Sequence, residues 1–480
     1  MHTHFAIPKL RIGLFSIGLE AYWAQFDGLK DRLTNYNEQI AVALHRDWAE
    51  VVNLGLVDTP EAAVAAGHQF RQSDVDIIFL HVATYALSAT VLPVVRRAKV
   101  PVIILNLAPG EAIDYARFNS LPTREEMTGE WLRWCQTCPV PEIANVFRRC
   151  RIPFFQVTGM LENDKLAWTA IEHWLQAAKV ASAMEHNRLG VMGQYYGGML
   201  DIYTDLTLQC ATFGGHIEML EIDELSALRT CVSPQAIAER VQEFRTQFAV
   251  EPDCSAFELE RAARTSIALD MLVEKHALGS LAYYGKGSGS PANEDTMSSI
   301  ILGTSLLTAR GVPVAGEYEV KNAQAMKIMD LLGAGGSFTE YYATDFSDDI
   351  ILMGHDGPGH IAMAEQKPKV RPLQVYHGKV GLGLSVEMSV KKGPVTLLSV
   401  VDSEPGRIKF VMAEGESVPG PILEIGNTNS RYRFSPGARR FVEEWSAQGP
   451  AHHCAVGVGH VSRQLDCLAR LLEIEAVQIC

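Results

Sequence analysis

The chain has 480 residues, 47% of them hydrophobic and 20% charged, which is ordinary globular composition with enough apolar material for two or three domains. Its formal net charge of -14 argues against a broad basic face, so neither nucleic acid nor a membrane surface is an expected partner. The nine cysteines are odd in number and scattered, form no dense disulfide framework, and fit a reducing cytoplasm.

In chain order, the apolar run Ile12 to Leu19 follows Lys9 and Arg11, is short, and leads into Glu20 without a small-residue cleavage site. It reads as a first strand, not a secretion signal. Arg11 to Ile17, Ile77 to His81 and Val102 to Asn106 read as buried strands, with helix-like spacing over Leu29 to Val52 and Pro60 to Gln72. This alternation predicts a parallel sheet covered by helices. The long amphipathic stretch Asn163 to Met184 precedes a second cycle at Leu189 to Met192, His216 to Leu220 and Leu281 to Tyr284. After about Gly333 the spacing changes to alternation, with Leu382, Leu384, Val386, Met388 and Val390 on one side of Gly381 to Val390. Further strands are expected at Val395 to Val401 and Arg407 to Met412, and helices at Gly437 to Trp445 and Val461 to Leu472. No internal repeat or membrane-length apolar run is present in the sequence.

The chemistry concentrates late in the chain. Glu317 in Ala-Gly-Glu, Glu340 in Ser-Phe-Thr-Glu, His355 in Met-Gly-His and the pair His452-His453 offer carboxylates and imidazoles that could close one divalent-metal site. Bland readings compete. Glu317 and Glu319 precede an amphipathic helix, Lys321 to Leu332, whose positive end favours acidic residues anyway. Glu340 lies in an aromatic run, and His355 and His360 bracket turn residues. Adjacent strand residues point to opposite faces, so only one of His452 and His453 is expected to face a given metal. Cys135-Gln-Thr-Cys138 lacks a second pair for zinc and a surrounding redox context. Gly285 to Ser290 lacks P-loop spacing, and Asn427 to Arg433 reads equally as hydroxyl-recognising or as a polar connection between strands.

In order and approximate spacing, Ala-Gly-Glu317-Tyr-Glu-Val-Lys, Ser-Phe-Thr-Glu340-Tyr-Tyr, Ile-Leu-Met-Gly-His355 and Ala-His452-His453 resemble the metal-site segments of L-arabinose isomerases. The similarity is clearest from Gly311 onward, and the layout also matches from Arg11. The resemblance implies an α/β protein with two Rossmann-like parallel-sheet domains, 1–187 and 188–330, followed by a β-rich, barrel-like domain, 331–480. It implies Glu317, Glu340, His355 and His453 as metal ligands, with Mn²⁺ the expected ion and Mg²⁺, Co²⁺ or Zn²⁺ as alternatives. Glu317 and Glu340 would also be the acid and base of an aldose-ketose isomerase acting through a cis-enediol. His452, Met199, Gln136 and Glu20 would contact the sugar.

Two departures stand in the sugar-reading half. The family's glutamine in a Gly-Ser-Gln segment is Glu20 here, in Gly-Leu-Glu, and its Gln-Thr-Ala-His segment is Gln136-Thr-Cys-Pro, without the histidine. The expected protein is a cytoplasmic homo-oligomer, a hexamer or another trimer-based assembly, for which L-arabinose is one candidate among pentoses, hexoses, deoxysugars and related aldehydes. The alternatives are a catalytically silent sugar-binding homologue, or an epimerase or lyase using the same site.

Overall fold

A computed structural model describes residues 8–285, 289–374, 382–404 and 406–480. Lys286, Gly287 and Ser288 of the glycine-rich loop, His377, and the start of the Gly381 to Val390 alternation lie outside the described residues. The chain divides into two compact units, Pro8–Ser182 and Ala183–Cys480.

In the first unit, β1 (Leu10–Ile17), β2 (Ala49–Val57), β3 (Ile77–Val82), β4 (Val102–Ala108) and β5 (Phe154–Met160) form one parallel sheet in the order β2-β1-β3-β4-β5. β3 is buried along its whole length, because helices cover both faces of such a sheet. The expected helix from Leu29 to Val52 is corrected. The helix is Leu29–Leu44, its backbone turns extended at His45, and Ala49–Val57 is the edge strand β2. The apolar residues of helix and strand run together in sequence without a glycine or proline to separate them.

The second unit opens with a parallel sheet of β6 (Arg188–Gly193), β7 (His216–Leu220), β9 (Ser280–Tyr284) and β10 (Val314–Ala315), in the order β10-β9-β6-β7. β8 (Ala249–Val250), β13 (Lys369–Pro372) and β14 (Leu384–Glu387) make a small separate sheet. The alternating run around Leu384 belongs there, and both faces of β14 are buried.

The C-terminal part is a closed barrel. β11 (Gly335–Asp345), β12 (Ile350–His355), β15 (Gly393–Glu404), β16 (Arg407–Ser417), β17 (Thr428–Phe434) and β18 (His453–Val458) run β15-β18-β11-β12-β17-β16, and antiparallel pairing of β15 with β16 closes the ring. β19 (Glu475–Gln478) adds alongside β16. One apolar core runs through the unit, from Leu220 and Phe244 to Val395, Phe410 neighbours such as Val411, and Phe441. The Val320–Leu331 helix is buried on nearly every side, not amphipathic as its spacing suggests, because it packs against β9, β11, β15 and β18.

Candidate metal and acid/base site

Strand register assembles the site. Glu340 on β11 is the ladder partner of His453 on β18 and of Gly354 on β12, so His355 follows one residue beyond. Three neighbouring strands of one barrel thus bring together residues more than a hundred positions apart. His355 is fixed at its backbone: its N–H donates to Thr428 Oγ1 (2.9 Å), whose hydroxyl donates back to the His355 carbonyl (3.0 Å). Phe338, fully buried on β11, packs against both imidazoles, with ring centroids 4.3 Å from His355 and 4.4 Å from His453, which are 5.1 Å from each other.

Glu317 arrives from the tight turn between β10 and the Val320–Leu331 helix. Glu317 and Tyr318 both adopt left-handed backbone, φ 59° and 62°, a conformation that costs a side-chain-bearing residue energy and clusters at functional sites. The turn places Glu317 Oε2 3.4 Å from His453 Nε2 and 3.9 Å from His452 Nε2. His452 Nε2 lies 3.9 Å from Glu340 Oε2 as well.

The ligand atoms of Glu317, His355 and His453 all lie within 4.8 Å of one another, as do those of Glu340, His452 and His453. The four expected ligands therefore fall into two overlapping triads that share His453, and His452 joins them. The pleat argument against the adjacent histidines is corrected: His452 precedes β18 in a bend, and strand alternation starts only at His453.

Burial, aided by His452, depresses the His355 pKa to about 3, and burial, aided by His355, His452 and Lys321, holds His453 well below the usual histidine range. Both rings are thus neutral. His355 Nδ1 and His453 Nε2 are buried without a hydrogen-bond partner among the described residues. Buried polar nitrogens are normally satisfied, so two such atoms converging beside carboxylates fit a divalent cation with an oxygen and nitrogen donor set.

Three supporting residues were not among the expected site residues, although Glu319 was noted as an acidic residue before the helix. Glu319, fully buried, turns its Oε2 to His453 Nδ1 (3.5 Å); burial raises its carboxyl well above the ordinary range, Lys321 opposing and Asp201, Glu317 and Asp402 reinforcing. It makes no capping hydrogen bond, so the helix-end reading does not account for it. Asp201 accepts from His452, and Lys321 Nζ donates to the Asp201 carbonyl (2.5 Å). Charged residues flanking a predicted ligand were the available signal, but their burial was not visible.

Met199 is partly buried in the loop after β6 that also carries Asp201. Glu20 and Gln136 belong to the first unit. Glu20 is exposed and opens a short turn directly after β1. Gln136 is buried, its Oε1 without a hydrogen-bond partner among the described residues, in a segment held by Thr84 Oγ1 donating to the Leu132 carbonyl and Thr137 Oγ1 donating to Asn106 Oδ1. Both lie toward the carboxyl ends of the strands, where parallel sheets bind ligands.

Asn427 to Arg433 is not a connection: Thr428–Phe434 is barrel strand β17, and Asn429 and Arg431 brace backbone at Leu423 and Pro421. His360 is buried outside both triads, and Cys135 and Cys138 are free thiols.

The geometry defines a carboxylate-imidazole cluster built on a closed barrel that follows parallel-sheet α/β layers. Residues 335–475 match the family model of the L-arabinose isomerase C-terminal domain. L-arabinose isomerase 1 of Bacillus licheniformis is 23% identical over 340 residues, covering 69% of this chain and 67% of that protein. L-arabinose isomerase of Shewanella baltica is 21% identical over 304 residues, 59% and 58% of the two chains. L-arabinose isomerase 2 of B. licheniformis is 28% identical over 189 residues, 36% and 38%. The matched part of the chain thus spans from 38% to 67% of these relatives' lengths. The chain is thus similar to L-arabinose isomerases over about two thirds of its length, and residues 335–475 match the C-terminal domain of that family.

Among solved structures, an ABC-transporter solute-binding protein from Burkholderia multivorans is 12% identical, covering 68% of this chain and 93% of that one at a TM-score of 0.14. The apo D-lactate dehydrogenase of Escherichia coli is 11% identical, covering 68% and 94% at 0.14. At that score neither likeness carries an argument.

Proposed function

We propose that this protein is a divalent-metal-dependent aldose-ketose isomerase in which the changes at Glu20 and after Gln136 alter the choice of sugar, L-arabinose being one candidate. The observation that carries the reading is that Glu317, Glu340, His355 and His453 fall into overlapping clusters, with His355 Nδ1 and His453 Nε2 buried and without a hydrogen-bond partner among the described residues. These four residues would hold the ion, Mn²⁺ by resemblance to the L-arabinose isomerases, with Mg²⁺, Co²⁺ or Zn²⁺ equally compatible with mixed carboxylate and imidazole donors. A bound divalent ion would neutralise the negative charge that builds on the sugar oxygens as a proton leaves carbon.

Glu317 and Glu340 are the acid and base. One carboxylate takes the proton from C2 and the proton returns at C1 through a cis-enediol, the two groups being able to exchange donor and acceptor roles. His355 and His453, kept neutral by burial, leave ring nitrogens available as ligands. Glu20, Gln136, Met199 and His452 read the sugar. A carboxylate at Glu20 accepts hydrogen bonds and does not donate them when ionised, which selects a different hydroxyl pattern from the one a glutamine reads. A homo-oligomer, hexameric or otherwise trimer-based, in the cytoplasm completes the proposal.

The test is a panel of aldoses and ketoses in D₂O, with and without Mn²⁺, followed by NMR. Metal-dependent interconversion with deuterium at the carbon receiving the proton is expected. Metal binding with no turnover would favour a sugar-binding homologue, and no metal binding would refute the site.

A further inference from the structure

We infer that Asp201 is a positioning residue that locks the His452 ring with Nε2 facing Glu317 and Glu340, so that this nitrogen accepts a hydrogen bond from a hydroxyl of the bound sugar; the inference rests on the isomerase reading of the site. One carboxylate oxygen, Asp201 Oδ2, is within hydrogen-bond distance of two His452 donors, the ring Nδ1 (2.6 Å) and the backbone N–H (2.9 Å). Two bonds to one oxygen fix both the residue and the rotation of its ring, and with Nδ1 turned to Asp201 it is Nε2 that faces the two glutamates. That nitrogen is 3.9 Å from each of the two glutamates, wide enough to form no direct hydrogen bond to either.

The carboxylate is itself held. Lys321 Nζ, on the buried first turn of the Val320–Leu331 helix, donates to the Asp201 carbonyl at 2.5 Å, and the next residue, Ile202, is fully buried. The His452 and Asp201 side chains keep 37% and 40% of their surface exposed, so the pair occupies the open side of the cluster, while His453 beneath it is 1% exposed. His452 lies against His453 with ring centroids 3.8 Å apart and planes tilted by 39°, so a ring set loose from Asp201 would lose its alignment while the four proposed ligands, Glu317, Glu340, His355 and His453, stay in place.

The experiment compares wild type, Asp201→Ala and Asp201→Asn. Asp201→Ala is expected to lower kcat/KM by about 10- to 100-fold, the usual cost of removing such a support. Mn²⁺ affinity by titration should stay at the wild-type value. Asp201→Asn should recover most of the activity, because an amide oxygen accepts the same two N–H groups. In ¹⁵N-histidine spectra, His452 of the wild type should show the Nδ1–H form, and Asp201→Ala should shift it toward the mixed form of a free ring. Unchanged kcat/KM in Asp201→Ala, or Mn²⁺ affinity falling in step with activity, would overturn the inference. If the wild type turns over no sugar, the isomerase reading fails. The ¹⁵N spectra still decide the positioning, since an Nε2–H form in the wild type refutes it whether or not the alanine variant folds.

Discussion

Glu319 and His453 show how much one buried pair can carry. A carboxyl facing Nδ1 orients the ring so that Nε2 points at Glu317, a support that typically matters as much as the ligands themselves. Glu319→Ala should therefore weaken Mn²⁺ binding by about 10- to 100-fold, measured by calorimetric titration, with Glu319→Gln closer to wild type. Binding unchanged in the alanine variant would remove Glu319 from the site.

The two buried histidines also set an acid limit for the metal-free protein. Their folded pKa values lie below the unfolded value, so the unfolded chain binds the extra protons as pH falls below about 6.5. For His355 stability is fully present above that pH and declines as pH falls toward about 3, by up to about 1.4 kcal/mol per pH unit, and His453 acts in the same direction. Glu319, raised by burial, works in the opposite sense and lowers stability as pH rises through the carboxylate range. Denaturant unfolding from pH 7 to 4 should show the histidine slope, and His355→Gln should flatten it; equal slopes in the two proteins would refute the assignment.

At the scale of the element, the placement of His355 depends on how closely β12 and β17 approach. A Cβ on Gly354 would lie 1.7 Å from the Thr428 carbonyl oxygen, and Thr428 is the residue that holds His355 at both its N–H and its carbonyl. Gly354→Ala should force the strands apart, destabilise the protein by about 1–3 kcal/mol, and weaken metal binding at the same time. A variant with wild-type stability and metal affinity would contradict this.

The same strands show where sequence reading fails. Thr428 to Arg433 is polar, and polarity reads as a connection, yet the segment is a buried barrel strand whose amides and guanidinium serve neighbouring loops. Its burial comes from partners about seventy residues away, which no local pattern records. The missed strand Ala49–Val57 is a milder case, since its apolar residues continue the spacing of the helix before it. By contrast Pro60–Gln72 was legible at both ends, with a Thr59 cap accepting from the Ala62 N–H and proline at the first turn.

At the scale of the molecule, Pro8–Ser182 and Ala183–Cys480 have separate cores, and every expected metal ligand belongs to the second. Mn²⁺ should raise the calorimetric transition of the second unit alone, by about 2.7 kcal/mol at a hundred times its Kd. Equal movement of both transitions, or of neither, would show that the ion binds elsewhere or not at all.

The sequence by itself determined the layer order, two parallel-sheet regions and then a barrel, because strand and helix periodicity are local properties. It also marked Glu317, Glu340, His355 and His453, because their spaced motifs resemble those of one family. Only the tertiary structure decided that these residues split into two triads around a shared His453. Only it turned Glu319 inward and set Asp201 against His452, since burial and ladder register depend on contacts between residues up to 251 positions apart.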